Sequence, residues 1–404
     1  MDSNQNKSPK LLLIDGFALA FRAFYAMPTT MTDDKGTPLN AIFGFISMVF
    51  NAIDQLKPDY FAVCFDHKDP NFREDIYPDY KAHRSDPPDE FKVQVPLLFE
   101  AVDNMGFLRI DKSGYEADDL LGAIAIEFSK KDMDVAIMTS DQDMLQIVTD
   151  QINIAMPVRG SSSLKLFGPE DVQEKYGFSP PLMIDYKALK GDSSDNIPGV
   201  KGVGDKTAVK LLTAYENLDG IYDHIDDITP KGVQEKLRKD KDNAYLSYQL
   251  ATLKTDIPLE HAVDEFKYAP DWEKITAVCQ HYKFNSLLRR FNLHASFTNV
   301  SDPKEEDIPA NIETLGSYQC IDDLETLKQL LPLLKRGFAI DLETTSLSVH
   351  DAQIVGVAIS SNAKKGYYIP LNKYLDLKPL EKSEEIIPLF ELEKQDVVAI
   401  DFKL

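Results

Sequence analysis

Four continuous apolar runs alternate with helix-period stretches over the first 160 residues of the chain. Lys10–Ile14, Tyr60–Phe65, Val135–Thr139 and Ile152–Met156 read as strands, while Asn40–Leu56 and Leu120–Phe128 repeat their apolar positions at the spacing of a helix face. Strands separated by helices predict a parallel α/β sheet, and runs such as LLLI and FAVCF, apolar at every position, predict burial on both faces. Residues 70–96 break the rhythm. They are rich in Pro, Asp, Lys, Arg and Tyr, and so long an insertion between apolar elements is expected to serve as a lid or binding loop. From Pro169 the pattern turns helical, with helices predicted over Pro180–Ala188, Lys206–Tyr215 and Asn243–Leu253. Residues 296–316 are polar, acidic and interrupted by proline, as a linker is, and beyond them GFAID, IVGVAIS and GYYIP predict an antiparallel meander. The domain boundaries expected are therefore 1–170, 171–295 and 317–404 around that linker.

At 404 residues, 43% hydrophobic and 27% charged, the chain can bury more than one core, which excludes a disordered tail or a disulfide-stapled miniprotein. Its three cysteines, Cys64, Cys279 and Cys320, are far apart and have no zinc-type spacing. They suit free thiols in a reducing compartment, and with a polar start and no long apolar stretch the expected location is the cytoplasm, away from membranes. The net charge of −22 argues at first against a nucleic-acid partner. Nine of the acids, however, fall into a few motifs, and if those hold metal the global charge no longer decides the partner.

These motifs follow the predicted strands. Asp15 ends LLLI and Asp66 ends FAVCF, so both are expected beyond the carboxyl edge of the sheet, where parallel α/β sheets place their ligand sites. Glu116, Asp118 and Asp119 open a helix in YEADDLLG; Asp141 and Asp143 follow VAIMT, with Ser140 the expected helix cap; Asp192 and Asp195 lie in KGDSSDNIPG. Any one of these pairs is ordinary, because acids favour helix starts and turns. Five groups converging on one place are not, because like charges at close range resist ionisation unless a cation offsets them. An all-oxygen set without His or Cys points to Mg²⁺ or Mn²⁺ rather than zinc. Two such ions about 4 Å apart can activate water and stabilise the leaving oxygen of a phosphodiester.

Basic residues accompany the acids. Arg73, Lys81 and Arg84 interleave with Tyr77 and Tyr80 in the 70–96 insertion, a combination suited to phosphate and an unpaired base, and Arg22 follows Asp15 by seven residues. In NIPGVKGVGDKTAVK, Gly199, Gly202 and Gly204 precede Lys206 and Lys210, with Lys201 among them. The segment misses the phosphate-binding P-loop, since Asp205 separates the last glycine from Lys206 and Thr207. It is expected to be a helix-hairpin-helix whose backbone N–H groups grip duplex phosphates without reading bases.

LLLIDGFALAFRAFYAM, FAVCFDHKDPNFR, YEADDLLG, MTSDQDMLQ and GDSSDNIPGVKGVGDKTA resemble, in order and spacing, the 5′ nuclease domains of the flap endonuclease group found at the N-terminus of bacterial DNA polymerases I. The likeness covers about residues 10–295. It implies a PIN-like parallel sheet with helices on both faces, followed by a helix-hairpin-helix subdomain, and a 5′→3′ exonuclease and flap endonuclease working through two or more Mg²⁺ or Mn²⁺ ions. Carried over by position, the metal ligands would be Asp15, Asp66, Glu116, Asp118, Asp119, Asp141, Asp143, Asp192 and Asp195. Arg73, Lys81 and Arg84 would belong to the arch that holds the 5′ single strand and the scissile phosphate. The hairpin would bind downstream duplex, with room for a monovalent ion such as K⁺. The partners implied are flapped or branched DNA and RNA–DNA primer junctions, met by a monomer in replication and repair.

Residues from GFAIDLETT onward look like the start of a ribonuclease H-like 3′→5′ exonuclease domain with Asp341 and Glu343 as its D-x-E acids. The later acids of that pattern are missing, so a truncated half-domain without its own activity is expected. Two rivals remain at this stage: a branched-DNA-binding module without catalysis, and a PIN-type ribonuclease, which would lack the glycine hairpin.

Overall fold

A computed structural model describes residues 8–158, 163–298, 317–321, 339–344, 354–362 and 365–370. The chain divides into two compact units, residues 1–299 and 300–404.

In the first unit, β1 (Lys10–Asp15), β2 (Tyr60–Cys64), β3 (Arg109–Ile110), β4 (Asp134–Met138), β5 (Ile152–Pro157) and β6 (Leu164–Phe167) form one sheet in the order β3-β2-β1-β4-β5-β6. All neighbours are parallel except β5 and β6. The antiparallel edge strand was not foreseen; LKLF is short and only partly buried, so it leaves little apolar signal. Along β1, Leu11 and Leu13 join one buried cluster and Leu12 and Ile14 another, as the two-residue period of a strand requires. The sheet is thus covered on both sides.

The Leu12 side is covered by α1 (Gly16–Ala26), α2 (Asn40–Leu56), α5 (Val95–Asn104), α13 (Trp272–His281) and α14 (Asn285–Thr298). Between β2 and α5 lie two short helices, α3 (Phe72–Ile76) and α4 (Asp89–Lys92). The Leu13 side is covered by α6 (Ala117–Ser129) and by the helices after the sheet: α7 (Pro169–Tyr176), α8 (Met183–Lys190), α9 (Asp205–Tyr215), α10 (Leu218–Asp223), α11 (Lys231–Lys239) and α12 (Lys241–Ala251). α2 spans the predicted range, and it ends where Lys57 enters the left-handed region at φ 51°. Gly16 allows the turn from β1 into α1 to pass under Phe65, whose ring a Cβ at that position would meet at 2.2 Å.

In the second unit, β7 (Ser317–Cys320), β8 (Ala339–Thr344), β9 (Ile354–Asn362) and β10 (Lys365–Pro370) form a sheet in the order β7-β10-β9-β8. The meander β8-β9-β10 is antiparallel, as expected, and β7 adds in parallel to β10. Asp341 and Glu343 fall two residues apart on β8, paired with Ala358 and Gly356. The C-terminal end of the expected half-domain, residues 371–404, lies outside the described residues. Cys64 and Cys279 are buried free thiols and Cys320 is exposed.

Candidate active site

β1 sits between β2 and β4, so the residues that leave these three strands emerge side by side: Asp15 pairs with Cys64 in register, and Ile14 with Met138. Asp15 caps α1 by accepting the Ala18 N–H at 3.0 Å through Oδ1, and its Oδ2 accepts the Thr139 hydroxyl at 2.7 Å. Asp66 accepts the Ala117 N–H at 2.7 Å and so caps α6, which begins one residue before Asp118. Asp141 follows β4. The cap expected at Ser140 is not made: the short helical turn Asp143–Ile147 starts after Gln142, its first N–H donates to Asp141 Oδ1 at 2.8 Å, and the Thr139 hydroxyl oxygen accepts the Asp141 N–H at 3.0 Å.

These carboxylates act on one another. Burial pushes Asp15 up to about 7 against the Thr139 and Ala18 hydrogen bonds, and the charges of Asp66 and Asp141 add to the rise. Burial raises Asp118 well above the ordinary carboxylate range, followed by the charges of Asp141, Asp15 and Asp66. Asp141 is also raised by burial, with Lys187 opposing. Asp15, Asp66, Asp118 and Asp141 therefore form one electrostatic cluster that a cation would relieve.

The remaining acids already have cations from the chain. Lys187 pairs with both Asp143 and Asp192, the latter at 2.7 Å. Burial opposes ionisation of Asp192, but its bonds to Lys187 and Ser194 outweigh it and hold the group down at about 2. Asp195 meets Arg84 at 2.5 Å and Lys81 at 4.0 Å, and Lys81 also pairs with Glu116. Among the described residues no three acidic, His or Cys side chains are grouped closely enough to form a ligand shell as they stand. The donors nevertheless suit a hard divalent ion: all are carboxylates, and three of the four in the central cluster resist carrying charge without one. A cleft of about 590 Å³ opens beside them, lined among others by Asp141, Asp143, Tyr186, Lys187, Lys190 and Asp192.

Four sequence expectations need correction. Arg73 is not free to hold a phosphate; it is 2% exposed, with Nη1 and Nη2 each 2.7 Å from an Asp119 oxygen, Nη1 also 3.1 Å from Glu116, and Nε and Nη2 donating to the Leu250 and Thr252 carbonyls. Asp119 is not an open carboxylate: it is fully buried, and besides Arg73 its oxygens accept the Lys254 and Glu116 N–H groups. Tyr80 offers no stacking face: it is 6% exposed, and its hydroxyl donates to Glu116 at 3.0 Å. Gly199 does not present its N–H to a ligand, because that group donates to the buried Ser247 hydroxyl at 2.8 Å. Its neighbours differ. Gly204 precedes α9 with open space where a Cβ would stand, and Lys201, Lys206 and Lys210 are exposed. The Gly202 carbonyl accepts Lys236, and Arg22 donates to the Pro157 carbonyl at 3.2 Å. Thr139 and Gln146 were missed; both lie within MTSDQDMLQ beside Asp141 and Asp143, but as neutral residues they carry no charge signal, and only the fold shows what they bond.

The descriptions "5'-3' exonuclease, N-terminal resolvase-like domain" and "5'-3' exonuclease, C-terminal SAM fold" match residues 10–177 and 178–274. DNA polymerase I of Bacillus subtilis (strain 168) is 35% identical over 362 residues, covering 89% of this chain and 39% of that protein. The thermostable DNA polymerase I of Thermus thermophilus is 38% identical over 284 residues, covering 70% of this chain and 33% of that one. Among solved structures, the T5 D15 protein co-crystallised with metal ions is 20% identical, with a TM-score of 0.49 over 70% of this chain and 99% of that one. The chain thus spans well under half the length of these polymerase relatives.

Proposed function

The chain belongs to the 5′–3′ exonuclease family over residues 10–274, and from that premise we propose that it is a divalent-metal-dependent 5′ nuclease which removes 5′ flaps and primer ends from branched DNA. The reading rests on one observation above all: Asp15, Asp66, Asp118 and Asp141 leave the carboxyl edge of the sheet together, and the charges of Asp66 and Asp141 hinder ionisation of the buried Asp15 and Asp118. These four would hold Mg²⁺ or Mn²⁺, with Asp143, Asp192 and Asp195 available for a further ion. Bound there, the metal supplies an activated water and neutralises charge at the phosphodiester. The chain's own cations do the positioning. Lys81 and Arg84, now paired with Glu116 and Asp195, lie at the rim where a scissile phosphate would arrive and can exchange one anion for the other. Lys206 and Lys210, on the first turns of α9, would meet duplex phosphates at the hairpin, where K⁺ is a further proposed ligand.

As a member of a DNA polymerase I, the whole protein would act in replication and repair, as a monomer in the cytoplasm. No helix among the described residues is long and apolar enough to cross a membrane. Purified protein incubated with Mg²⁺ and a 5′-flap duplex tests the reading directly: cleavage near the junction, abolished by Asp118→Asn, is expected. An uncut flap that is bound equally well with chelator present would instead indicate a binding module.

A further inference from the structure

Residues 247–254, the end of α12 and the strap that follows it, meet side chains or backbone from four of the five segments that carry site acids, all but that of Asp15. Arg73, from the segment after Asp66, donates to the carbonyls of Leu250 at 2.9 Å and Thr252 at 3.0 Å. Gln146, from the turn that carries Asp141 and Asp143, donates to the Ala251 carbonyl and accepts the Leu253 N–H, both at 3.0 Å. Asp119, beside Asp118 on α6, accepts the Lys254 N–H at 2.8 Å. Leu250 and Ala251 pack with Tyr80 and with Ile197, two residues past Asp195, and Ser247 accepts the Gly199 N–H. Consecutive backbone groups of one strap are therefore read by three buried polar side chains, each on a different acid-bearing segment. Such groups are expensive to leave unpaired, so the strap fixes the segments relative to one another.

We propose that this strap is the positioning element of the site, and that Gln146 is its main positioning residue for the metal-binding acids. Its path to them is short. Gln146 Nε2 also donates to the Asp143 carbonyl at 2.9 Å, and the Asp143 N–H donates to the Asp141 carboxylate. Gln146 thereby sets the turn that aims both acids without touching substrate. At the other end Ser247 sets the glycine hairpin, so one element registers cleavage and duplex grip together. The assignment rests on the nuclease reading above.

The test separates the two ends. Gln146→Met keeps the volume and removes the hydrogen bonds, and partners of this kind cost about 10–100-fold in metal affinity or activity. With Mg²⁺ and a 5′-flap duplex its kcat is expected to fall by about that factor with KM nearly unchanged, and its Mn²⁺ affinity by calorimetry to weaken in parallel. Ser247→Ala is expected to raise KM for the duplex while leaving kcat in place. Amide exchange needs neither metal nor DNA: Gln146→Met should speed exchange over 139–147 and leave α2 as it was. Unchanged exchange there, or wild-type kcat and Mn²⁺ affinity in the folded variant, overturns the assignment. Loss of kcat that disappears on cooling, leaving only a lowered melting temperature, overturns it too. A wild-type protein that cuts no flap defeats the nuclease reading instead, and the exchange measurement still decides the strap.

Discussion

The Thr139 hydroxyl donates to Asp15 Oδ2 at 2.7 Å and, through its own oxygen, takes the N–H of Asp141. One neutral side chain thus holds acids from two strands, and it lowers Asp15 against the larger effect of burial. Thr139→Val keeps the shape and removes this support. A hydrogen bond to a charged group contributes about 1.5–3 kcal/mol, so Asp15 should ionise at least about one pH unit later. The expected outcome is an acid limb of the cleavage–pH profile displaced upward, with the deficit greatest near pH 7 and small near pH 9. An unshifted limb would show that Asp15 does not govern it.

Metal binding should depend on pH through the same cluster. Burial and mutual repulsion raise Asp15 to about 7 and raise Asp118 and Asp141 as well, above the 3.8 they have in an open chain. The folded state therefore holds protons that the unfolded state has lost. The stability this contributes is full below about pH 4 and disappears as pH rises through the folded values. A divalent ion replaces those protons, so its stabilising effect grows over the same range. Thermal melts with Mn²⁺ and with chelator should differ more at pH 8 than at pH 5.5; an equal difference would refute a shared site for ion and protons.

The four central strands of the sheet were legible because they are continuous apolar runs, and the first acids were legible because two of those runs end on one: LLLI on Asp15, FAVCF on Asp66. What local sequence does not carry is the partner of a long side chain. Arg73 and Tyr80 have the composition of a phosphate and base site, yet their partners are Glu116 and Asp119 on α6 and the end of α12, far along the chain. Asp119 shares the spacing of a ligand with Glu116 and Asp118, and only its burial against Arg73 separates its role from theirs. Gln146 and Thr139 sit in the same motif as Asp141 and Asp143, but as neutral residues they gave no charge pattern to follow.

Asp119 and Arg84 should separate stability from chemistry. Asp119→Ala takes the two-pronged partner from a buried guanidinium and leaves it Glu116 as its one remaining ion pair, and removing one member of a buried pair costs up to about 3–5 kcal/mol. Arg84 has a side chain 51% exposed, where an ion pair contributes at most about 1 kcal/mol. Denaturant melts should place Asp119→Ala far below wild type and Arg84→Ala close to it, while Arg84→Ala still loses cleavage of the flap. A well-folded Asp119→Ala protein that has lost only Mn²⁺ binding would return Asp119 to the ligands.

The hairpin makes the same separation within one loop. Gly199 has φ 60° and lies so close to Gly191 that a Cβ would meet the Gly191 nitrogen at 2.3 Å, whereas Gly204 has nothing within 4 Å of that position. Gly199→Ala should therefore fail at folding and Gly204→Ala should not. Lys206 and Lys210 are exposed and make no ion pair among the described residues, so their removal leaves no stranded acid behind. If both meet duplex phosphates, each contributes about 0.9 to the slope of log affinity against log salt. Binding isotherms of flap DNA in Ca²⁺ over a range of KCl should show the slope of the Lys206→Gln, Lys210→Gln double variant reduced by about 2, with the melting temperature of the free protein unchanged. A slope equal to wild type would place the duplex on another face.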